Sequence, residues 1–172
     1  MERQTNSRGY LSVSKESSLH VTAGDFSLDS KLAADCHKLW STPHSDILLM
    51  NKRLFRPWLI LVPHTHVHEL IDLEPEQLKI VMHQIAALTR FIRTEYQPDK
   101  INTATIGNVV SQLHIHIIAR YHDDPCWPDT VWGWAPSEQS RGTQHPYLAD
   151  EVETIRQTLL DVPNLFILNP EP

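Results

Sequence analysis

The stretch Asn108-Val109-Val110-Ser111-Gln112-Leu113-His114-Ile115-His116-Ile117-Ile118-Ala119-Arg120 decides how this chain reads. From Gln112 onward, residue character alternates with period two, the mark of a β-strand whose faces meet different surroundings. Leu113, Ile115 and Ile117 take the apolar face, and Gln112, His114 and His116 take the other. Same-face neighbours on a strand stand about 6.5 Å apart. Two imidazoles at that spacing can bracket one tetrahedral phosphorus or share one metal.

Working outward, the chain of 172 residues has the length of one domain with a sizeable core. Hydrophobic content of 41% and charged content of 21% are ordinary for a globular protein. A net charge of −6 without a basic run argues against a nucleic-acid surface, though not against a single bound nucleotide. Cys36 and Cys126 are too few for a disulfide framework and read as free thiols in a reducing compartment, so the cytoplasm is the expected location. No apolar run approaches the ~18 residues of a membrane span, and the N-terminus lacks a signal-peptide core. Eleven histidines point to chemistry.

Residues 1–23 are polar and aperiodic and read as a flexible arm, leaving residues 24–172 as a single domain. An N-cap signal at Asp29-Ser30 opens an expected helix with Leu32, Cys36 and Leu39 on one stripe, ended by Pro43. Asp46 to Asn51 and Trp58 to Val62 read as a hairpin. His64-Thr65-His66-Val67-His68 follows Pro63 and falls in an expected loop, either as solvated histidines or as a metal clamp. Pro75, flanked by Glu74 and Glu76, opens the longest helix, to about Tyr96. Its stripe is Leu78, Met82, Ile85, Leu88, Ile92 and Tyr96, and His83 falls off it. Lys100 to Ile106 reads as a strand feeding the histidine strand through Gly107-Asn108. Trp127, Trp132 and Trp134 cap a core, line a base pocket or bury an interface. A last helix spans about Tyr147 to Leu160, and Leu165-Phe166-Ile167-Leu168 forms an edge strand or docks elsewhere.

The segment Gln112-Leu113-His114-Ile115-His116-Ile117-Ile118 resembles the signature strand of the histidine triad (HIT) family, His–φ–His–φ–His–φ–φ with φ apolar. Leu61-Val62-Pro63 with His66 is similar to that family's strand-end Pro-x-x-His. The resemblance covers roughly residues 26–134. It implies an α+β fold, a five-stranded antiparallel sheet with helices packed on one face, and two subunits joined in a homodimer. It also implies a hydrolase or nucleotidyl transferase acting at the α-phosphate of a nucleotide, with no cofactor. His114 matches the nucleophile, in which a backbone hydrogen bond on one ring nitrogen would free the other for attack. His116 matches the donor to phosphate or leaving group. Asn108, Asn102 and Asn51 match polar contacts to phosphate and ribose.

Gln112 stands in place of the first motif histidine, and Trp58 stands where relatives often carry another. Gln112 can donate to a phosphate oxygen but cannot shuttle a proton; Trp58 is counted with the nucleotide-binding positions. Three readings follow. The first is a metal-independent HIT-type hydrolase, and the second a nucleotide-binding module of HIT fold without catalysis. The third, a metal hydrolase built on His114, His116 and one of His64, His66 or His68, lacks a carboxylate on the histidine face.

Overall fold

The computed structural model describes residues 26–134, 146–163 and 165. The expected arm over 1–23 lies outside the described residues. The order is α1 (Ser30–Asp35), β1 (Cys36–Ser41), β2 (Ser45–Met50), β3 (Trp58–Pro63), α2 (Pro75–Tyr96), β4 (Lys100–Ala104), β5 (Ile115–Arg120) and α3 (Ala149–Leu160). The strands form one five-stranded sheet in the order β1-β2-β3-β5-β4. Every pairing is antiparallel.

β2, β3 and β5 are covered on both faces. One face presents Ile47, Leu49, Leu59, Leu61, Ile115, Ile117 and Ala119 to α2 and α3, which contribute Val81, Leu88, Ile92, Val152, Ile155 and Leu159. Each such buried Leu, Ile or Val side chain contributes about 1.5–3 kcal/mol. The other face presents Leu48, Trp58, Ile60, Val62 and Ile118 to Leu32 of α1, Phe55, Val110, Cys126 and Val131. The long helices therefore share one face, while short α1 and irregular loops cover the second. Cover on both faces is why β2 and β3 read as unbroken apolar runs rather than as alternation.

The helix expected from Asp29 to Pro43 stops at Asp35, and residues 36–41 form the edge strand β1 instead. Leu32, Cys36 and Leu39 have helical spacing, but β2 offers a ladder to pair with, and pairing outweighs that weak stripe. α3 then docks on β1: Arg156 donates to Leu39 O and Lys38 O, and Trp40 Nε1 donates to Arg156 O. α2 has its expected ends, with Pro75 in the first turn and Gln97 closing it in the left-handed conformation. Met82 lies off the buried face at 51% exposure, and Gln84 faces the core in its stead. Leu165 is buried in the main core, whereas Phe166 to Leu168 lie outside the described residues. Among the described residues no helix is long and apolar enough to cross a membrane.

At the start of β2 a buried carboxylate, Asp46, receives Lys38 Nζ at 2.5 Å, Ser41 Oγ at 2.5 Å and the His64 ring at 3.2 Å. Burial alone would push its pKa up, but hydrogen bonds from His64, Lys38 and Ser41 outweigh it and bring the group down to about 2.

Candidate active site

The site lies on the second face of the sheet, where β5 enters from the loop after β4. That loop turns at Gly107, whose φ of 66° suits a residue without a side chain, and delivers Asn108 and Val110 to the pocket. Leu113 then joins the core facing α2, which turns His114 and His116 toward the opposite side.

The two histidines carry opposite tautomers. His114 Nδ1 lies 2.7 Å from Gln112 O. A carbonyl oxygen only accepts, so Nδ1 holds the proton and Nε2 keeps a free lone pair. His116 Nδ1 accepts from Trp58 Nε1 at 2.9 Å. An indole only donates, so the proton of neutral His116 resides on Nε2. The rings stand edge to face with centroids 4.8 Å apart. His114 and His116 are 7% and 5% exposed. Burial first, and proximity to the His114 ring second, push His116 down to about 3, so it is neutral at physiological pH.

Around them is a cavity of about 280 Å³. One wall is α1, through Lys31, Leu32 and Asp35, with Lys31 Nζ 2.9 Å from Asp35. Met50 and Lys52 continue from the end of β2, and Lys52 Nζ lies 5.6 Å from the centre of the Trp58 ring. Ile106, Val109 and Trp132 complete an apolar rim. Trp132 packs on both Trp58 and His116, with centroids at 6.0 and 5.4 Å.

Of the expected site residues, the fold brings His114, His116, Asn108 and Trp58 into one pocket. It does not bring Gln112, Asn51 or Asn102 there. The Gln112 amide pairs with the backbone leading into α1, accepting from Asp29 N and donating to Ser27 O, both at 2.9 Å. Asn51 Oδ1 accepts from Tyr147 N ahead of α3. Asn102 Oδ1 accepts from Arg120, a buried guanidinium that also holds Asp124 and the carbonyl of Asp129. The tryptophans divide: Trp132 lines the pocket, Trp134 meets Phe55 edge-on, and Trp127 lies over Arg120. Lys31, Lys52 and Met50 carry no sequence pattern that would have marked them.

His64, His66 and His68 diverge. His64 faces Asp46, His66 is exposed, and His68 bonds Ser111 O. Among the described residues no group of three or more His, Cys, Asp or Glu side chains is arranged to hold a metal ion.

The profile of the HIT domain matches residues 31–123, more than half of the chain. A histidine triad protein from Marinobacter aquaeolei VT8 is 36% identical and superposes with a TM-score of 0.72, over 83% of this chain and 98% of that one. A histidine triad (HIT) protein from Sinorhizobium meliloti 1021 is 31% identical with a TM-score of 0.71, over 81% of this chain and 98% of that one. Protein hit of Bacillus subtilis (strain 168) is 27% identical over 89 residues, 49% of this chain but only 61% of that protein's length. With its five-stranded sheet and its histidine pair on the β5 face, this chain belongs to the HIT domain family.

Proposed function

We propose that this protein is a nucleotide hydrolase or nucleotidyl transferase acting at an α-phosphate through a nucleotidyl-histidine intermediate. The observation that carries the reading is the Nδ1–H of His114 bound to Gln112 O at 2.7 Å, which leaves Nε2 free as the nucleophile. Attack by Nε2 forms a P–N bond while the bond from phosphorus to the leaving group breaks with its electron pair. The positive charge gained by the imidazole is shared with Gln112 O. Water then attacks phosphorus, the P–N bond breaks, its pair returns to Nε2, and the water proton passes to solvent. His116 Nε2–H serves as a donor to a phosphate oxygen. Leu32, Met50, Trp132 and Val110 suit a base, and Lys31 and Lys52 suit phosphate charge.

His114→Ala should abolish turnover while nucleotide binding persists within about tenfold, because covalent catalysis needs that imidazole and binding draws on many contacts. Labelled nucleotide should be trapped at an acid-labile linkage on wild-type His114. Turnover with no adduct, unchanged in the variant, would refute the mechanism. The assay pairs a panel of adenosine and guanosine derivatives with and without chelator.

One observation favours a second reading, a nucleotide-binding module without catalysis. The Gln112 amide is occupied by the chain's own backbone and brings nothing to the pocket. Tight binding with no turnover across the panel would select it.

The proposal extends to a two-fold dimer in the cytoplasm. Cys36 and Cys126 are free thiols, and β4 ends the sheet with an outer edge unpaired among the described residues. Such an edge invites a partner strand. Light scattering at micromolar concentration should give twice the chain mass; a monomer mass would contradict it.

A further inference from the structure

We propose that Trp58 restricts this site to nucleotides whose leaving group departs as a stable oxyanion, such as phosphate, pyrophosphate or carboxylate, by holding His116 as a neutral donor with no proton to give up. The inference rests on the nucleotidyl-histidine reading above and names its substrate class.

Trp58 occupies β3 diagonally across from His116 on β5, on the same face of the sheet. Its indole N–H can donate and can never accept. The 2.9 Å bond to His116 Nδ1 therefore exists only while that nitrogen is bare. Protonating His116 would set N–H against N–H inside a site where Trp58 is 3% and His116 5% exposed. Trp132 and His114 close edge-on against the same imidazole, and its depressed pKa agrees with this geometry. A neutral imidazole can lend its Nε2–H to an oxygen, but surrendering that proton would leave an imidazolate.

Among the described residues no other group on the pocket walls is placed to take over as acid. His114 Nδ1–H is bound to Gln112 O, and His114 Nε2 is the attacking atom. Gln112 does not titrate. Among the described residues the charged groups facing the pocket are Lys31, Asp35 and Lys52, and Asp35 is paired to Lys31. Lys31 is engaged by Asp35 at 2.9 Å and Lys52 stands 5.6 Å from the centre of the Trp58 ring, placements in which their charge stabilises a departing oxyanion. When the P–O bond to phosphate, pyrophosphate or carboxylate breaks, the pair leaves on oxygen and no proton is required. An amine leaving from a phosphoramidate, or an alkoxide leaving from an alkyl ester, must gain a proton as its bond breaks.

The test compares kcat/KM of the wild type on ATP, acetyl adenylate, adenosine 5′-phosphoramidate and the methyl ester of AMP. The two anhydrides should exceed the amidate and the ester by at least about a hundredfold, the low end of what a positioned general acid supplies. Trp58→His, which can accept as well as donate, should narrow that gap at least about tenfold, and Trp58→Phe should not. Nitrogen NMR of the wild type reads the lock without catalysis: His116 should keep a bare Nδ1 and a protonated Nε2 from about pH 8 to about pH 5, across the ordinary histidine range. Comparable rates on anhydride and amidate, or a His116 that titrates near its ordinary value, would overturn the proposal while leaving the nucleotidyl-histidine reading intact. Wild type inactive on all four compounds would overturn that reading and this proposal with it.

Discussion

Gln112 and Trp58 depart from the histidines expected at their positions, and each makes a bond suited to its own donor set. An amide presents donor and acceptor side by side, as a peptide group does, so Gln112 pairs with a backbone segment at Ser27 and Asp29. An imidazole presents them from separate ring nitrogens and would not match that segment. The consequence reaches the pocket through α1, whose Lys31, Leu32 and Asp35 form one wall. Gln112→Ala removes two neutral hydrogen bonds of about 0.5–1.5 kcal/mol each, so stability should fall by roughly 1–3 kcal/mol. Because the loosened element binds rather than reacts, KM should rise more than kcat falls. Gln112→Glu keeps the acceptor for Asp29 N but sets a carboxylate against Ser27 O, and should fall between wild type and alanine. Urea unfolding and steady-state kinetics measure both effects. A collapse of kcat at unchanged KM would show that Gln112 acts in the transition state instead of anchoring α1.

At the scale of elements, legibility followed the range of the interactions involved. α2 was readable in its ends because Pro75 is a local signal, but its stripe was only half right: Leu88 and Ile92 are buried, Leu78, Ile85 and Tyr96 are partly buried, Met82 is exposed, and Val81, Ala87 and Phe91 complete the buried face. β1 was not readable, because six residues of edge strand owe their conformation to β2 and to Arg156, 117 and 118 residues away at its two backbone contacts. The site divides the same way. The bond that sets His114 spans two residues, and the sequence motif carries it. The partners that draw Gln112 and Asn51 away from the pocket lie 83 and 96 residues distant and leave no local trace. The irregular segment after β5 shows how such long-range bonds replace secondary structure. Buried Arg120 bonds Asp124 at 2.6 Å, Asn102 at 2.9 Å and Asp129 O at 2.9 Å, fixing a loop that ends with Trp132 against His116. A buried ion pair of this kind adds little net stability, yet removing one partner strands the other charge. Its effect here is to fix where the tryptophans stand.

At the scale of the whole molecule, the second face of the sheet links stability to pH through His116 and Asp46. In the unfolded chain His116 takes up its proton near its ordinary value of 6.5, whereas burial and the neighbouring His114 hold it near 3 in the fold. Between those values the unfolded chain binds one proton more than the folded protein, so acid draws the equilibrium toward unfolding. The stability linked to His116 is therefore complete above pH 6.5 and is lost as the pH falls toward 3. The slope approaches about 1.4 kcal/mol per pH unit for one proton. Asp46 acts lower down: despite burial, its bonds to His64, Lys38 and Ser41 depress it from 3.8 to about 2, so its contribution is intact above 3.8 and disappears on further acidification. His116→Gln retains an acceptor for Trp58 Nε1–H and has no proton to titrate. Urea unfolding at a series of pH values should show wild-type stability falling between about pH 6 and about pH 4, with the variant markedly flatter over that window. Below 3.8 the variant should begin to decline as well, because Asp46 then takes up a proton in the unfolded chain before it does so in the fold. Parallel slopes between about pH 6 and about pH 4 would mean that His116 titrates in the fold as it does in water. The hydrogen bond from Trp58 would then impose no tautomer on it.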